Sequence, residues 1–182
     1  MALVDSVNLF LEEADNQAPS LRIALVTFGG GEKRRVDTPW DGDPTRLQNG
    51  FDFIGANRDD IDASLDFISS HPLGINTPIK EAIELTQTVF QQNSSNTSNK
   101  ICILLSDGRP TSGSPIAAAT KLAQDDVTIH TIYFSGGDTK GQDELEAIAN
   151  EGAGLALNAS NENQLDQAFD QILKLLSVSI VE

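Results

Sequence analysis

The chain has little that could cross-link it or build an aromatic core. Its 182 residues include one cysteine, one tryptophan and one tyrosine, and aromatic residues make up 5% of the total. A lone cysteine excludes both an internal disulfide framework and a cysteine-built metal site. Because Cys102 lies inside an apolar run, we predict a buried and inert thiol. The core of this protein must therefore be mainly aliphatic.

Basic residues are also scarce in this sequence. Twelve Lys and Arg residues stand against 27 Asp and Glu residues, which gives a formal net charge of -15. Proteins bind nucleic acids by neutralising phosphates with cationic side chains, so this charge balance argues against a nucleic-acid partner. The acidity suits a bound cation, although solubility or a salt-rich source explains it equally well.

Long apolar runs are missing as well. No segment approaches the roughly 20 apolar residues that a membrane-spanning helix needs, and the first residues lack the pattern of a signal peptide. We therefore predict no membrane span in this chain, and composition leaves the compartment open. A length of 182 residues suits one domain with its own core, and we interpret residues 1–182 as a single domain.

Strand-like and helix-like segments alternate along the chain. Apolar runs predict buried strands at residues 21–28, 100–106 and 127–134, with a short strand at 154–157 and a short edge strand around Val36. Apolar residues at helical spacing predict helices at residues 3–14, 58–69 with Asn57 as N-cap, from Pro78 to Phe90, 114–123, 143–149 and 163–176.

This alternation predicts an α/β fold, with a mostly parallel central sheet and helices on both faces. In such folds the ligand site lies at the carboxyl ends of the strands. The places to search for chemistry are therefore the loops after Phe28, around Gly74, after Ser106 and after Phe134.

Five segments resemble signatures of one family, in family order. Residues 22–28 resemble a strand that ends in Phe, and residues 74–79 (Gly-Ile-Asn-Thr-Pro-Ile) resemble a Gly-x-Thr-Pro loop with one extra residue. Residues 103–108 resemble a hydrophobic strand that ends in Asp-Gly. Residues 127–134 and 165–172 resemble the next strand and the closing helix. Together they resemble the von Willebrand factor A (VWA) family over nearly the whole chain, which implies its Rossmann-like three-layer fold.

Part of the family pattern is missing. The first strand of the family and its Asp-x-Ser-x-Ser loop have no counterpart, since residues 5–8 (Asp-Ser-Val-Asn) have the wrong spacing and lie in an amphipathic segment. Met1 falls about where the Met of a family-typical Ser-Gly-Ser-Met would stand. We therefore hypothesise that the domain is incomplete at its N-terminus. The alternative is a degenerate member of the family.

The resemblance implies a metal site. In the family, Mg²⁺ or Mn²⁺ is held by the Asp-x-Ser-x-Ser loop, a Thr and an Asp, and a partner's carboxylate takes the remaining position. Such hard cations prefer oxygen ligands. Thr77 and Asp107 match the Thr and the Asp, so we expect weak metal binding at best in this chain. Taken alone, Thr77 suits an ordinary helix N-cap and Asp107 an Asp-Gly turn.

The resemblance also implies a function. We expect a protein-binding module for adhesion or assembly, not an enzyme, with a partner protein that offers an acidic side chain. An extracellular, cell-surface or periplasmic location follows from the same resemblance. The alternatives are a structural VWA domain that docks without metal, and a doubly wound α/β enzyme or nucleotide-binding domain. The chain has neither a Gly-x-Ser-x-Gly nucleophile motif nor Walker spacing, and we interpret His130 as a core or edge residue.

The last residues have a pattern of their own. Residues 176–182 alternate like a strand, and loss of the family's first strand would leave backbone groups unpaired in mid-sheet. We hypothesise that this tail fills the gap, either in the same chain or in a strand-exchanged dimer. A closing helix followed by such a tail also resembles VWA domains of bacterial tight-adherence pilus proteins.

Overall fold

A computed structural model describes residues 2–29, 45–70, 76–93, 99–111, 113–134 and 139–179 of the chain. Within these ranges, helices and strands follow one another in an α/β pattern. In chain order they are α1 (Ala2–Gln17), β1 (Arg22–Phe28), β2 (Thr45–Phe53), α2 (Ile54–Ser70), α3 (Ile79–Asn93), β3 (Lys100–Ser106), α4 (Pro115–Gln124), β4 (Val127–Phe134), α5 (Thr139–Glu151), β5 (Ala153–Ala159) and α6 (Glu162–Ser179).

The strands form two sheets. β3, β4 and β5 pair in parallel in that order, and the register places Lys100 beside Val127 and Ser106 beside Tyr133. β1 and β2 pair antiparallel, with Phe28 opposite Thr45. The predicted α/β fold, a parallel sheet flanked by helices, is thus confirmed.

Helices cover both faces of the parallel sheet, as the side chains of β3 demonstrate. Ile101, Ile103 and Leu105 pack against the buried cluster that α1, α2 and α6 help to form. Cys102 and Leu104 belong to the opposite cluster, together with buried residues of α3, α4 and α5. Successive side chains of a strand point to opposite faces. A strand buried on both faces is therefore apolar throughout, which explains why β3 was predictable from its sequence.

β1 and β3 lie in separate sheets yet share one core. Leu21 and Ile23 pack against the same buried cluster as Ile101 and Ile103. Among the described residues, no strand joins the two sheets. The strand that the VWA pattern lacks in the sequence thus has no counterpart in the described part of the structure either.

Most predicted elements are confirmed, but one strand was missed and one helix cap needs correction. The edge strand predicted around Val36 lies outside the described residues and stays a prediction, and the strand that pairs with β1 in the structure, β2, was not predicted. The predicted N-cap Asn57 is wrong, because β2 ends at Phe53 and α2 begins at the next residue. Asn57 therefore lies in the first turn of α2.

The strand predicted for the C-terminal tail is also wrong for residues 176–179, which continue α6 as far as Ser179. Leu165, Phe169, Ile172 and Leu176 are all buried on one face of this helix. Because helical burial extends as far as Leu176, it overrides the short alternating pattern that follows. Residues 180–182 lie outside the described part of the chain, so a strand-exchanged dimer stays a prediction.

α4 begins with clear start signals. Ser114 is its N-cap, and the Ser114 hydroxyl accepts a hydrogen bond from the backbone N–H of Ala117 at 3.4 Å. Pro115 follows at the first helical position, where its missing N–H costs nothing. These residues turn the chain back along the sheet immediately after the loop that follows β3.

Candidate functional site

The two predicted site residues belong to loops that are bonded to each other. Thr77 lies directly before Pro78 and α3, and its N–H donates to the Thr111 hydroxyl at 2.9 Å. In return, the N–H of Thr111 donates to the carbonyl oxygen of Thr77 at 3.1 Å. The same carbonyl accepts from the N–H of Ile79 at 2.9 Å. The start of α3 and the loop after β3 are therefore held together by one backbone–backbone bond and one bond to the Thr111 hydroxyl.

Gly108 is the point of closest approach between these loops. A Cβ atom at Gly108 would lie 2.8 Å from the Thr77 hydroxyl oxygen, closer than real Cβ contacts come. On the other side, a Cβ at Gly141 in α5 would lie 3.3 Å from the Gly108 carbonyl oxygen. A side chain at position 108 would therefore displace Thr77, and one at position 141 would press against the backbone of Gly108.

Asp107 begins this turn at the carboxyl end of β3. The last residue of β3, Ser106, pairs with Tyr133, which stands one residue before the end of β4. Asp107 is exposed. Thr77, whose hydroxyl approaches the next residue of the turn, Gly108, is half-buried. The structure thus brings both residues to one rim of the parallel sheet, the rim at which this fold class places its ligands.

The side-chain oxygens of Thr77 and Asp107 form no hydrogen bonds with the rest of the described structure. Among the described residues, neither the Thr77 hydroxyl nor the Asp107 carboxylate forms a hydrogen bond. The Thr77 hydroxyl does not cap α3, contrary to the ordinary interpretation of a Thr before a helix. Within the described part of the chain, neither oxygen is thus engaged by another residue.

The residues at the rim fit a divalent cation in kind but not in number. Hydroxyl and carboxylate oxygens are the ligands that Mg²⁺ and Mn²⁺ prefer. However, the described residues hold no group of three His, Cys, Asp or Glu side chains that could bind a metal ion. Thr77 and Asp107 supply two donors, so the remaining ligands of any cation here must be water or other groups.

The side chain of Lys80 lies beside the loop that follows β3. Gly113 adopts a positive φ of 61°, and a Cβ there would overlap the side chain of Lys80. Lys80 belongs to the first turn of α3 and pairs with Glu84 at 3.3 Å. The aliphatic part of Lys80 thus covers the loop after β3, while its ammonium group is directed to a neighbour on the same helix.

The other residues considered from sequence have structural roles. His130 is buried in β4, where its Nδ1 accepts a hydrogen bond from the N–H of Leu155 at 3.0 Å. Burial lowers the pKa of His130 from its usual value of 6.5. Cys102 is buried as predicted, and burial raises the pKa of its thiol to about 12. These residues stabilise the sheet and its packing.

Several features of the site had no signal in the sequence. Thr111 pairs with a residue 34 positions away, and nothing in its local sequence indicates that contact. The loop residues 30–44, 71–75 and 135–138, including Gly74 and the segment after Phe134, lie outside the described residues. The described helices include none long and apolar enough to span a membrane.

Comparison with known proteins gives the family. The family model for the von Willebrand factor type A domain matches residues 2–171. The uncharacterized protein YwmC of Bacillus subtilis (strain 168) is 32% identical over 133 residues, which are 72% of this chain and 56% of that protein. The chain therefore spans a little over half the length of this relative.

Solved structures share the fold at low sequence identity. An aerotolerance-related membrane protein from Bacteroides fragilis has a TM-score of 0.65 and 15% identity, over 94% of this chain and 88% of that one. A von Willebrand factor type A structure from Catenulispora acidiphila has a TM-score of 0.65 and 17% identity, over 95% of this chain and 37% of that one. Since the family model matches nearly the whole chain and the fold agrees, the chain belongs to the von Willebrand factor type A domain family.

Proposed function

We propose that this chain is a protein-binding module for adhesion or assembly whose contact site is the rim at Thr77 and Asp107. Domains of this family generally act in protein interaction or adhesion. Family membership therefore favours a binding module over a doubly wound enzyme or a nucleotide-binding domain. The observation that carries the proposal is the close approach of the Thr77 hydroxyl to the turn that follows Asp107.

At this rim, Thr77 and Asp107 would hold Mg²⁺ or Mn²⁺ through their side-chain oxygens. The bound cation supplies positive charge for an acidic side chain of the partner protein. Such a cation has a clear electrostatic purpose, because a chain with a net charge of -15 would otherwise repel an acidic partner. The two hydrogen bonds between Thr77 and Thr111 hold the Thr77 backbone in place before binding, which reduces the entropy lost when the ligand arrives.

Metal-independent docking at the same rim is the second candidate. It is favoured by the small number of ligands, since the described residues offer no group of three metal-binding side chains. In that mode, Asp107 would contact the partner directly as an exposed carboxylate, and the partner would be basic there. In either mode, we expect the module to act at the cell surface, in the periplasm or outside the cell.

Calorimetric titration of the metal-stripped chain with Mn²⁺, and then with Mg²⁺, tests the proposal. We expect uptake at one site, its loss in Asp107→Ala, and weaker binding in Thr77→Val. Asp66→Ala is the matched control, because Asp66 is an exposed carboxylate within α2 and does not belong to the loops of Thr77 and Asp107. No uptake by the unaltered chain would contradict the metal-dependent mode. Equal uptake by Asp107→Ala and Asp66→Ala would contradict the assignment of the site.

A further inference from the structure

A second candidate site lies between α1 and α6, away from the rim. The two helices pack side by side, and the rings of Phe10 and Phe169 meet between them with centroids 5.0 Å apart. Along this seam runs a cleft of about 200 Å³. Glu13 of α1 and Asp166 and Asp170 of α6 contribute carboxylates to its lining.

Two polar atoms at this cleft are buried without partners. Ser6 lines the cleft and is 2% exposed, and its hydroxyl oxygen forms no hydrogen bond. The Oδ1 atom of Asp166 is likewise buried without a hydrogen bond. A buried polar atom without a partner is destabilising, and most such atoms in folded proteins are satisfied. Both oxygen atoms could therefore accept hydrogen bonds from the donor groups of a ligand.

The chemistry of the lining indicates which donors would fit. A carboxylate oxygen only accepts hydrogen bonds, so a partner for Asp166 must donate, and a cation would donate most strongly. Within the lining, Asp170 already pairs with Lys174 one turn along α6. A metal ion is a poor candidate, because the three carboxylates of the lining, all within the described residues, do not form a group that could hold one. A guanidinium or ammonium group, with several N–H donors, suits carboxylates spread along a seam.

The exposed leucines near the cleft indicate that such a cationic group belongs to a polypeptide. Leu9 lines the cleft and is 44% exposed, and Leu3, six residues earlier on α1, is 37% exposed. An Arg or Lys side chain can place its methylene groups on apolar surface such as Leu9 while its charged end reaches the carboxylates. A small free cation would leave both leucines in water, whereas a polypeptide could cover them.

We propose that the α1/α6 cleft docks an arginine or lysine side chain of a partner polypeptide. The charged end reaches Asp166, with Ser6 as a second hydrogen-bonding group, and neighbouring apolar residues of the partner cover Leu3 and Leu9. The site requires neither a metal ion nor the rim at Thr77 and Asp107. It gives the domain a second interface, with a partner chemistry opposite to that expected at the rim in its metal-dependent mode.

Binding of designed probes to the whole chain tests this proposal. The first probe is a capped, alanine-based helical peptide with one arginine and two flanking leucines on one face. The second has glutamine in place of the arginine, and the third is butylguanidinium alone. We expect the arginine peptide to bind in low-salt buffer with a chelator present, and the glutamine peptide to bind about tenfold more weakly because a charge-assisted hydrogen bond is lost. We expect butylguanidinium to bind more weakly than the arginine peptide.

Variants of the chain locate the binding. We expect Asp166→Asn to weaken binding of the arginine peptide about tenfold, and Ser6→Ala to weaken it less. Glu12→Gln is the matched control, because Glu12 is exposed on α1 and does not line the cleft. Unfolding in urea should show that Asp166→Asn is at least as stable as the unaltered chain. The substitution removes the negative charge from a side chain whose Oδ1 atom is buried without a hydrogen-bond partner.

Three results would overturn the proposal. One is equal binding of the arginine and glutamine peptides, which would exclude a cationic ligand. Another is unchanged binding by Asp166→Asn, which would place the peptide elsewhere. The third is butylguanidinium binding as tightly as the arginine peptide, which would make the cleft a site for small cations instead of a docking site for a polypeptide.

Discussion

Thr77 and Thr111 exchange two hydrogen bonds across loops that are 34 residues apart. The N–H of Thr77 donates to the Thr111 hydroxyl at 2.9 Å, and the N–H of Thr111 donates to the Thr77 carbonyl at 3.1 Å. This pair joins the start of α3 to the loop after β3. The relative placement of Thr77 and Asp107 therefore depends on the Thr77 backbone and on both the backbone and the hydroxyl of Thr111.

Replacing Thr111 should loosen this connection. Thr111→Val keeps the shape of the side chain but removes the hydroxyl that accepts the bond from Thr77, so we expect a loss of about 1 kcal/mol in the free energy of unfolding. Urea denaturation measures this loss. Thr88→Val is the control, because the Thr88 hydroxyl donates only within α3, to the carbonyl of Glu84. Equal losses in both variants would argue against a special role for Thr111.

Gly108→Ala should be destabilising because of one specific contact. Its new methyl group would lie 2.8 Å from the Thr77 hydroxyl oxygen, so Thr77 or the turn must shift, at about 1 to 3 kcal/mol. Removing the obstructing atoms with Thr77→Ala should restore part of that loss in the double variant. A double-mutant cycle measured by urea denaturation gives the coupling. Strictly additive changes in the free energy of unfolding would show that Gly108→Ala is destabilising for another reason.

His130 should make the stability of the protein depend on pH. Burial lowers its pKa below 6.5, so between the two pKa values the unfolded chain binds more protons than the folded one. The contribution of neutral His130 is therefore complete above about pH 6.5 and is lost as the pH falls through the folded pKa. We expect His130→Gln to be less stable at neutral pH but to lose less of its remaining stability on acidification. Thermal unfolding at a series of pH values measures both, and parallel curves for the two proteins would contradict the prediction.

Cys102 should react with thiol reagents only when the protein unfolds. Burial raises its pKa from 9.0 to about 12, so its thiolate fraction near neutral pH falls about a thousandfold, and the side chain is also shielded. Labelling with an aromatic disulfide reagent should be slow in buffer and fast in denaturant, and Cys102→Ala should give no signal. Rapid labelling under native conditions would mean that β3 opens readily.

The buried strands were predictable because burial on both faces leaves a continuous apolar run. β3 and β4 begin and end at the predicted residues for this reason. β2 was missed because its sequence, Thr-Arg-Leu-Gln-Asn-Gly-Phe-Asp-Phe, mixes polar residues and a glycine, and strand propensity in such a segment depends on what it pairs with. Residues 176–179 of the C-terminal tail were wrongly predicted as strand, because seven alternating residues do not distinguish a strand from the end of a long amphipathic helix.

The candidate site was predictable only in part. Thr77 and Asp107 came from the resemblance to a family, and the order of strands and helices was enough to place them at the same rim. Their connection through Thr111 was not predictable, since a contact between two distant loops leaves no local pattern. The α1/α6 cleft was missed for a similar reason. Ser6 and Asp166 are unremarkable in sequence, and only the packing of two helices deprives them of partners.

The arrangement of the described strands in two separate sheets affects which part of the protein unfolds locally first. Among the described strands, hydrogen bonds link β3, β4 and β5 in one ladder and β1 and β2 in another. Side-chain packing in a shared core connects β1 to β3. The two-stranded piece can therefore detach as a cooperative unit of its own, at a lower free energy than the parallel strands. Backbone amide protons of β1 and β2 should accordingly exchange with solvent before those of β4, at the centre of the parallel sheet.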